Sequence, residues 1–449
     1  MTAFALALGS RTFRSLRRHR NYRLFFTGQI VSLAGTWMQN IALAWRVIEL
    51  SGSALAVGAL AFCRFAPFLV FGLIAGVIVD RFETRGLLLA TQATAMAVSV
   101  VLAVVTLTGI ATLPLVYALA ALGGLVLVVD APGRQTLTFQ MVGERELQNA
   151  VALNSGLFNG SRVIGPALAG LTIALVGTGL CFVVNAVSFL AVFLSLRLLR
   201  EDELHPVEKS RETRIVAGIR EGIAWTAGSP VARVVLGVVT IVSVLGFNFH
   251  VLVPLLASVT LDVGAGTFGI LSSAFGLGAL AGALATASLR EASVRAFVGG
   301  AAGFSLSMLA LALVSSVPAA LVLLFVLGGS FALFTASANA LVQLGAPGHL
   351  RGRVMSLYLF AFAGLAPLGG LVAGALAELG GTPLAFGLAG GTGLLVAAWA
   401  GRKLLSGRAD AQSASHVRDA AAAAGSRPCD AERETVTQTA LARRSPLEG

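Results

Sequence analysis

Apolar residues in this chain come in runs of about twenty or more, parted by short polar gaps. The runs fall at roughly 23–48, 54–79, 86–109, 112–133, 150–175 and 178–198, then at 231–259, 266–289, 294–315, 317–344, 353–377 and 383–405. At 1.5 Å per residue each is long enough to cross a hydrocarbon core of about 30 Å. The pattern predicts an all-α membrane protein of twelve transmembrane helices in two six-helix bundles, residues 23–198 and 231–405. A basic arm covers 1–22, a polar linker 199–230 and a polar tail 406–449. In the linker, Ile215 to Trp225 places apolar residues at helical spacing and reads as a helix lying on the membrane surface. The tail, rich in Ala, Arg and Ser, reads as disordered.

The placement of charge gives the orientation. Beyond the first, third, fifth, seventh, ninth and eleventh spans there is no Lys or Arg, only Glu49, Asp262 and Glu378. The alternate gaps hold Arg81 and Arg85, Arg134 and Arg145, the central cluster, Arg290 and Arg295, then Arg351 and Arg353; Arg402, Lys403 and Arg408 follow the last span. Positive residues collect on the cytoplasmic side, so both termini and the linker are expected there. The same distribution argues against a nucleic-acid partner despite a net charge of +11, because the arginines form no basic face with interleaved aromatics. Only 12% of residues are charged, half the share of a soluble domain, and the 52 glycines suit closely packed membrane helices.

Several chemistries drop out. Cys63, Cys181 and Cys429 have no paired spacing, so neither a disulfide framework nor a metal site is indicated. No Gly-x-x-x-x-Gly-Lys-Ser/Thr loop, His-Glu-x-x-His or Gly-x-Ser-x-Gly occurs, which disfavours a nucleotide-driven pump and an enzyme, and no cofactor is implied. The first residues are apolar before they are basic, the reverse of a signal peptide, so the first span is expected to be the insertion signal. The halves also echo each other: Pro166 and Pro367 are 367 − 166 = 201 residues apart, Gln140 and Gln343 are 343 − 140 = 203 apart. Duplication of a six-helix unit leaves such a trace.

The gap between the second and third spans reads Gly76-x-x-x-Asp80-Arg81-x-x-x-Arg85, and it resembles the loop signature of the major facilitator superfamily. Ser161-x-x-x-Gly165-Pro166-x-x-Ala169-Gly170 is similar to the Gly-Pro motif of its antiporter branches. Asn21-Tyr-Arg-Leu-Phe-Phe, Gly35-Thr-Trp-Met-Gln, Asp130-Ala-Pro-Gly-Arg134-Gln135 and Leu350-Arg-Gly-Arg-Val-Met resemble the bacterial macrolide-efflux and enterobactin-exporter branch. The resemblance covers about residues 10–405. It departs from the pattern at Glu83 and Thr84, where the family loop has a glycine and a basic residue. The Arg-rich motif of the fourth helix is not recognisable, and Ser288 to Arg295 lacks the Asp-Arg pair. The resemblance implies a secondary exporter in a bacterial inner membrane, working as a monomer with the lipid bilayer, protons and a small-molecule substrate as its partners. It also implies that the first, fourth, seventh and tenth helices line a central cavity.

Candidate residues follow from cost. Arg64 and Arg162 lie near mid-membrane, where a charge must face water, a partner or a substrate, or else bond backbone carbonyls. With almost no carboxylates in the spans, the pair favours a cavity tolerant of anionic or electron-rich groups. Asp130 is a carboxylate at the edge of a span that carries a proton or simply pairs with Arg134. His250 titrates near neutrality or is a bonded structural histidine. Gln39, Asn40, Asn185, Asn248, Asn339 and Gln343 are amides that need partners inside the bilayer. Gln39, Asn40, Asn248 and Asn339 are substrate-contact candidates by resemblance, with Trp37, Phe247 and Phe249 as apolar walls. Arg46 and Glu49 read as a pair near the outer end of the first span. By resemblance Asp80, with Gly76, Arg81 and Arg85, latches against the start of the eleventh helix near Arg351 and Arg353; the plain alternative is a solvated turn. Pro166 bends its helix, while Ser161, Gly165, Ala169 and Gly170 offer a smooth packing face.

The reading is an exporter of amphipathic small molecules, of drug or siderophore type, by alternating access with proton antiport. Two alternatives share the fold: an importer or facilitator of a small nutrient, and a membrane scaffold or sensor that no longer transports.

Overall fold

A computed structural model describes residues 12–72, 75–206, 215–287, 293–347 and 350–425; within these, the side chains of 76, 77, 80, 215–219, 287 and 406–425 are set aside. The first half contains α1 (Arg14–Arg18), α2 (Arg20–Ser51), α3 (Ala54–Phe71), α4 (Ala75–Arg81), α5 (Thr84–Leu107), α6 (Leu113–Val176) and α7 (Thr178–Arg197). The second contains α8 (Ile215–Gly228), α9 (Pro230–Leu245), α10 (Phe249–Leu255), α11 (Ala265–Ala287), α12 (Val294–Leu311), α13 (Val317–Gly345), α14 (Arg351–Leu359) and α15 (Ala366–Gly425). No strand occurs among the described residues. Nine helical stretches among them are long and apolar enough to cross a membrane.

Two helices are too long to be single crossings. The 64 residues of α6 would extend roughly 95 Å at 1.5 Å per residue, three times the bilayer core. Gly143 breaks it with φ 66° and ψ 179°, a left-handed φ that favours glycine. A β-carbon there would also stand 2.9 Å from the His205 imidazole. In α15 the break comes at Gly380 and Gly381, the latter at φ 72°. Beyond it α15 stays helical to Gly425, into the stretch read as disordered; the run Ala420–Ala424 is strongly helix-forming.

Helix starts follow local chemistry. The Ser53, Ser229 and Ser293 hydroxyls accept from Ala56 N, Ala232 N and Ala296 N. Glu83, where the loop departs from the family pattern, is the N-cap of α5: its carboxylate accepts from Arg85 N at 2.9 Å and Gly86 N at 2.8 Å.

Two runs read as single helices are interrupted. The run 231–259 stops at Leu245 and resumes at Phe249, then widens into a π-helical turn over Leu256–Thr260. Gly246 disfavours helix here, and the Asn248 amide donates to the Val244 carbonyl at 2.8 Å, the kind of side-chain insertion that breaks a ladder. The run 353–377 contains a second π-helical turn, Phe360–Gly364. Such turns often mark functional positions.

Each half has its own packing. At the arginine-rich end of the first, Tyr22, Phe25, Leu88, Leu137, Met141, Val192 and Leu196 form a buried cluster joining α2, α5, α6 and α7. The arm closes over it: Glu146, buried, pairs with Arg14 at 2.7 Å and Arg18 at 3.0 Å, and Ser15 Oγ bonds Asn149 Oδ1 at 2.8 Å.

The halves meet along two glycine seams. On one, α11 lies against α6: a β-carbon on Gly170 would be 2.9 Å from Ala265 O, Gly266 O and Gly269 Cα. On the other, α3 lies against α15: a β-carbon on Gly374 would be 2.9 Å from Ala54 O and Gly58 Cα. Both contacts sit at the arginine-poor end. Toward the other end the seams open. Phe158 and Leu284, which continue the α6–α11 stripe, are 46% and 66% exposed, and Gly156 and Gly160 face open space. Along α3, Val57, Leu60 and Ala61 are buried, whereas Val70 and Phe71 are exposed.

Candidate functional site

Where the closed parts of the seams end, a cavity opens between the halves. It is lined from α2 by Trp37, Asn40, Ile41 and Ala44, from α6 by Arg162 and Pro166, from the broken α9–α10 region by Phe249, His250, Val253 and Pro254, and from α11 by Phe268, Ser272 and Phe275. Its enclosed space is about 30 Å³, far below the ~300–1,000 Å³ of a pocket filled by a drug-sized ligand.

Arg162 dominates the cavity. Only 9% exposed, it lies over the rings of Trp37 and Phe275 at 5.3 Å, Phe249 at 5.5 Å and Phe331 at 6.0 Å. These contacts offset part of the cost of a charge in the span, about 2.5–3.5 kcal/mol on insertion scales. Its Nε has no hydrogen-bond partner. Arg64, in the half-buried middle of α3, donates to Asn40 Oδ1 and lies 5.6 Å over Phe65. His250 links the two, its ring 5.9 Å from both Trp37 and Phe65 and 3.9 Å from Phe249. Among the described residues lining the cavity there is no carboxylate.

The other candidates are dispersed. Gln39 Oε1 accepts from Ser99 Oγ at 2.7 Å and Asn185 Nδ2 at 2.8 Å, which joins α2, α5 and α7 inside the first half. Asp130, buried, accepts from Thr91 Oγ1 at 3.0 Å and Gln92 Nε2 at 2.6 Å and pairs with Arg134, away from the cavity. Asn248 is buried beside Gly369, where a β-carbon would come 3.0 Å from its Oδ1. Asn339 is half-buried on α13 and does not line the cavity. Arg46 pairs with Glu49 at 3.0 Å.

The helix motif of Ser161 to Gly170 divides between two neighbours. Ser161 Oγ bonds the Leu157 carbonyl at 2.8 Å, and Ala169 is buried. Gly165 faces α2, where a β-carbon would be 2.8 Å from Ala34 O, and Gly170 faces α11. In the loop motif, Arg85 donates to the Leu196 and Arg197 carbonyls at the end of α7, at 2.8 and 3.0 Å, and pairs with Glu201. Arg353 pairs with Glu221 of α8; Arg81 and Arg351 are exposed. The surroundings of Gly76 and the Asp80 side chain lie outside the described residues.

Four features of the site were not read from the sequence. Phe65, Phe275 and Phe331 are ordinary apolar residues in spans, and nothing in their spacing marks the first for Arg64 or the other two for Arg162. Glu378, noted only as a lone charge in a gap, crosses between halves: its carboxylate accepts from Ser53 Oγ at 3.0 Å and Leu55 N at 3.1 Å at the start of α3.

A cavity built from both halves, with both seams closed on one side of it and open on the other, is the geometry of a carrier. Residues 11–426 match the model of the transmembrane secretion effector family of the major facilitator superfamily. The chain belongs to that family. It is a multi-pass membrane transporter and not an enzyme. It is 27% identical over 376 residues to the staphyloferrin A transporter of Staphylococcus aureus, covering 82% of this chain and 92% of that one. It is 30% identical over 363 residues to the multidrug efflux pump Tap of Mycolicibacterium fortuitum, covering 79% and 88%. In fold it resembles the nucleoside transporter NupG, with a TM-score of 0.69 at 12% identity over 86% of this chain and 99% of that one.

Proposed function

We propose that this transporter is a secondary active exporter of amphipathic small molecules, of drug or siderophore type, in a bacterial inner membrane. It works as a monomer by alternating access, with protons moving inward in exchange. Its twelve spans form two six-helix bundles, with both termini in the cytoplasm. The observation that carries the reading is the cavity between the halves, closed at the arginine-poor end by Gly58–Gly374 and Gly170–Gly269 and open toward the arginine-rich end. With the arginines in the cytoplasm, this is an inward-facing carrier ready to load from the cell. The siderophore transporter and the multidrug pump among its relatives support export.

The gate residues fit the same cycle. In this open state Arg353 rests on Glu221 and Arg85 on Glu201. Closure of the cytoplasmic side transfers Arg353 and Arg351 toward Asp80 near the end of α4.

Retention of a fluorescent drug by cells lacking the protein tests the direction. Cells without it should hold more dye than cells with it. Lower uptake of one nutrient in the deletion strain, with unchanged dye, would instead make it an importer.

A further inference from the structure

We infer that the central cavity selects an anionic substrate, an aromatic or amphipathic molecule carrying a carboxylate, and that the interior-negative membrane potential helps to expel it. The inference rests on the exporter reading and names its substrate class.

Two guanidinium groups, Arg64 and Arg162, stand at the junction of the halves with His250 between their aromatic neighbours. Neither has a carboxylate partner among the described residues. Among the described residues, the buried carboxylates of the first half are engaged elsewhere, Asp130 by Thr91, Gln92 and Arg134, and Glu146 by Arg14 and Arg18. The cavity therefore has an uncompensated positive charge in a poorly solvated place, and a bound anion is what would neutralise it.

The geometry around Arg162 points to the kind of anion. Four aromatic rings have their centroids 5.3–6.0 Å from its guanidinium carbon, and its donors lie in the guanidinium plane. Arg162 lines the cavity, and its Nε donor is buried and has no partner. A carboxylate matches a guanidinium fork with two parallel hydrogen bonds and would also neutralise its charge, which a bulky cation or a neutral ring does not. Trp37, Phe249 and Phe275 receive the apolar part of the same molecule.

Direction follows from charge. The arginines stay with the protein through the whole cycle, so the net charge moved by the substrate is its own. For a monovalent anion, each 100 mV of interior-negative potential shifts the equilibrium ratio outward by roughly fifty-fold.

The test uses the purified full-length protein and two fluorescent probes of opposite sign, dansylglutamate and dansylcholine. Binding is read by quenching of tryptophan emission, and movement is read in proteoliposomes with a valinomycin-imposed potassium potential. The wild type should bind dansylglutamate in preference to dansylcholine and move it faster when the compartment it leaves is made negative. Arg162→Gln and Arg64→Gln should each lose at least ten-fold in dansylglutamate binding, and Arg162→Lys should retain more of it than Arg162→Gln. Arg162→Lys also guards against a folding defect. Preference for dansylcholine, or equal loss of both probes in the glutamine variants, would overturn the anion assignment and leave the exporter reading standing. Binding of dansylglutamate without movement would do the reverse.

Discussion

Gly170 and Gly269 touch backbone to backbone across the two halves: a β-carbon on Gly269 would lie 2.7 Å from Gly170 Cα and 2.9 Å from its nitrogen. Any side chain at either position must push the seam apart on the side of the cavity that is closed. Overpacking costs about 1–3 kcal/mol, and set against one of two carrier states that shifts their ratio about 5- to 150-fold. Gly170→Leu should therefore favour the outward-open state and reduce efflux about five-fold or more. The check is a single cysteine at Ser272, a cavity position, in a protein stripped of Cys63, Cys181 and Cys429. An impermeant maleimide added outside should label it in Gly170→Leu and not in the parent; equal labelling would show that the glycine contact does not hold the gate.

Glu378 and Ser53 form a second, polar closure at the same end, with the Glu378 carboxylate also accepting from Leu55 N. The carboxylate completes the N-terminus of a helix in the opposite half, where a negative charge is favourable. Glu378→Ala should raise outside labelling of the Ser272 cysteine a few-fold, less than Gly170→Leu does, because this contact is exposed. High salt should blunt the effect of the closure in the parent.

The all-helical, membrane-crossing character was legible in the sequence because burial in lipid forces about twenty apolar residues in a row. Arg64 and Arg162 stood out for the same reason, since a charge in such a run is costly wherever it points. What the sequence did not carry was convergence. Phe275 and Phe331 are apolar residues among apolar residues until the fold brings them onto Arg162. The break after Leu245 was hidden because Gly246 and Asn248 do not interrupt hydropathy; they interrupt hydrogen bonding. Gln39 shows the opposite case: its candidacy came from the family's architecture, and its oxygen is taken by Ser99 and Asn185.

His19 gives the arm a dependence on pH. Burial pushes its imidazole below the ordinary value, His205 and Arg18 add to this, and Glu146 and Glu203 oppose it. A depressed histidine is neutral when docked and must bind a proton to match its unfolded form. The docked arm is therefore at full strength above about 6.5, the ordinary value, and weakens as pH falls below it. Protection of the Arg14–Arg18 amides, taken relative to their intrinsic exchange rate at each pH, should be lower at pH 5.5 than at 7.5 in the parent. His19→Gln should flatten the difference, and a pH dependence that survives the substitution would assign it to another group.

Asp80 is the part of the loop motif whose proposed role is movement, because Arg85 is already occupied by the end of α7 and Glu201. Asp80→Asn should slow turnover several-fold with little change in substrate affinity, since a latch acts on the rate of switching between states. Separate measurement of binding and of efflux distinguishes the two, and a loss confined to affinity would contradict the latch.

Asp130 is where proton coupling is most directly tested. It is buried, and its carboxylate is shared by Thr91, Gln92 and Arg134, so protonation would remove the charge that holds three partners together. That makes it a candidate for linking proton uptake to the packing of α5 on α6. Asp130→Asn should abolish substrate-induced proton release in proteoliposomes. The substitution also leaves Arg134 facing no counter-charge, and breaking a buried pair costs about 3–5 kcal/mol, so poor folding alone could mimic the result. The double variant Asp130→Asn/Arg134→Gln removes the orphaned charge and separates the explanations. If Asp130 carries the proton, the double variant folds and binds substrate but still releases none. If the pair only ties the two helices together, the double variant recovers proton movement along with its fold.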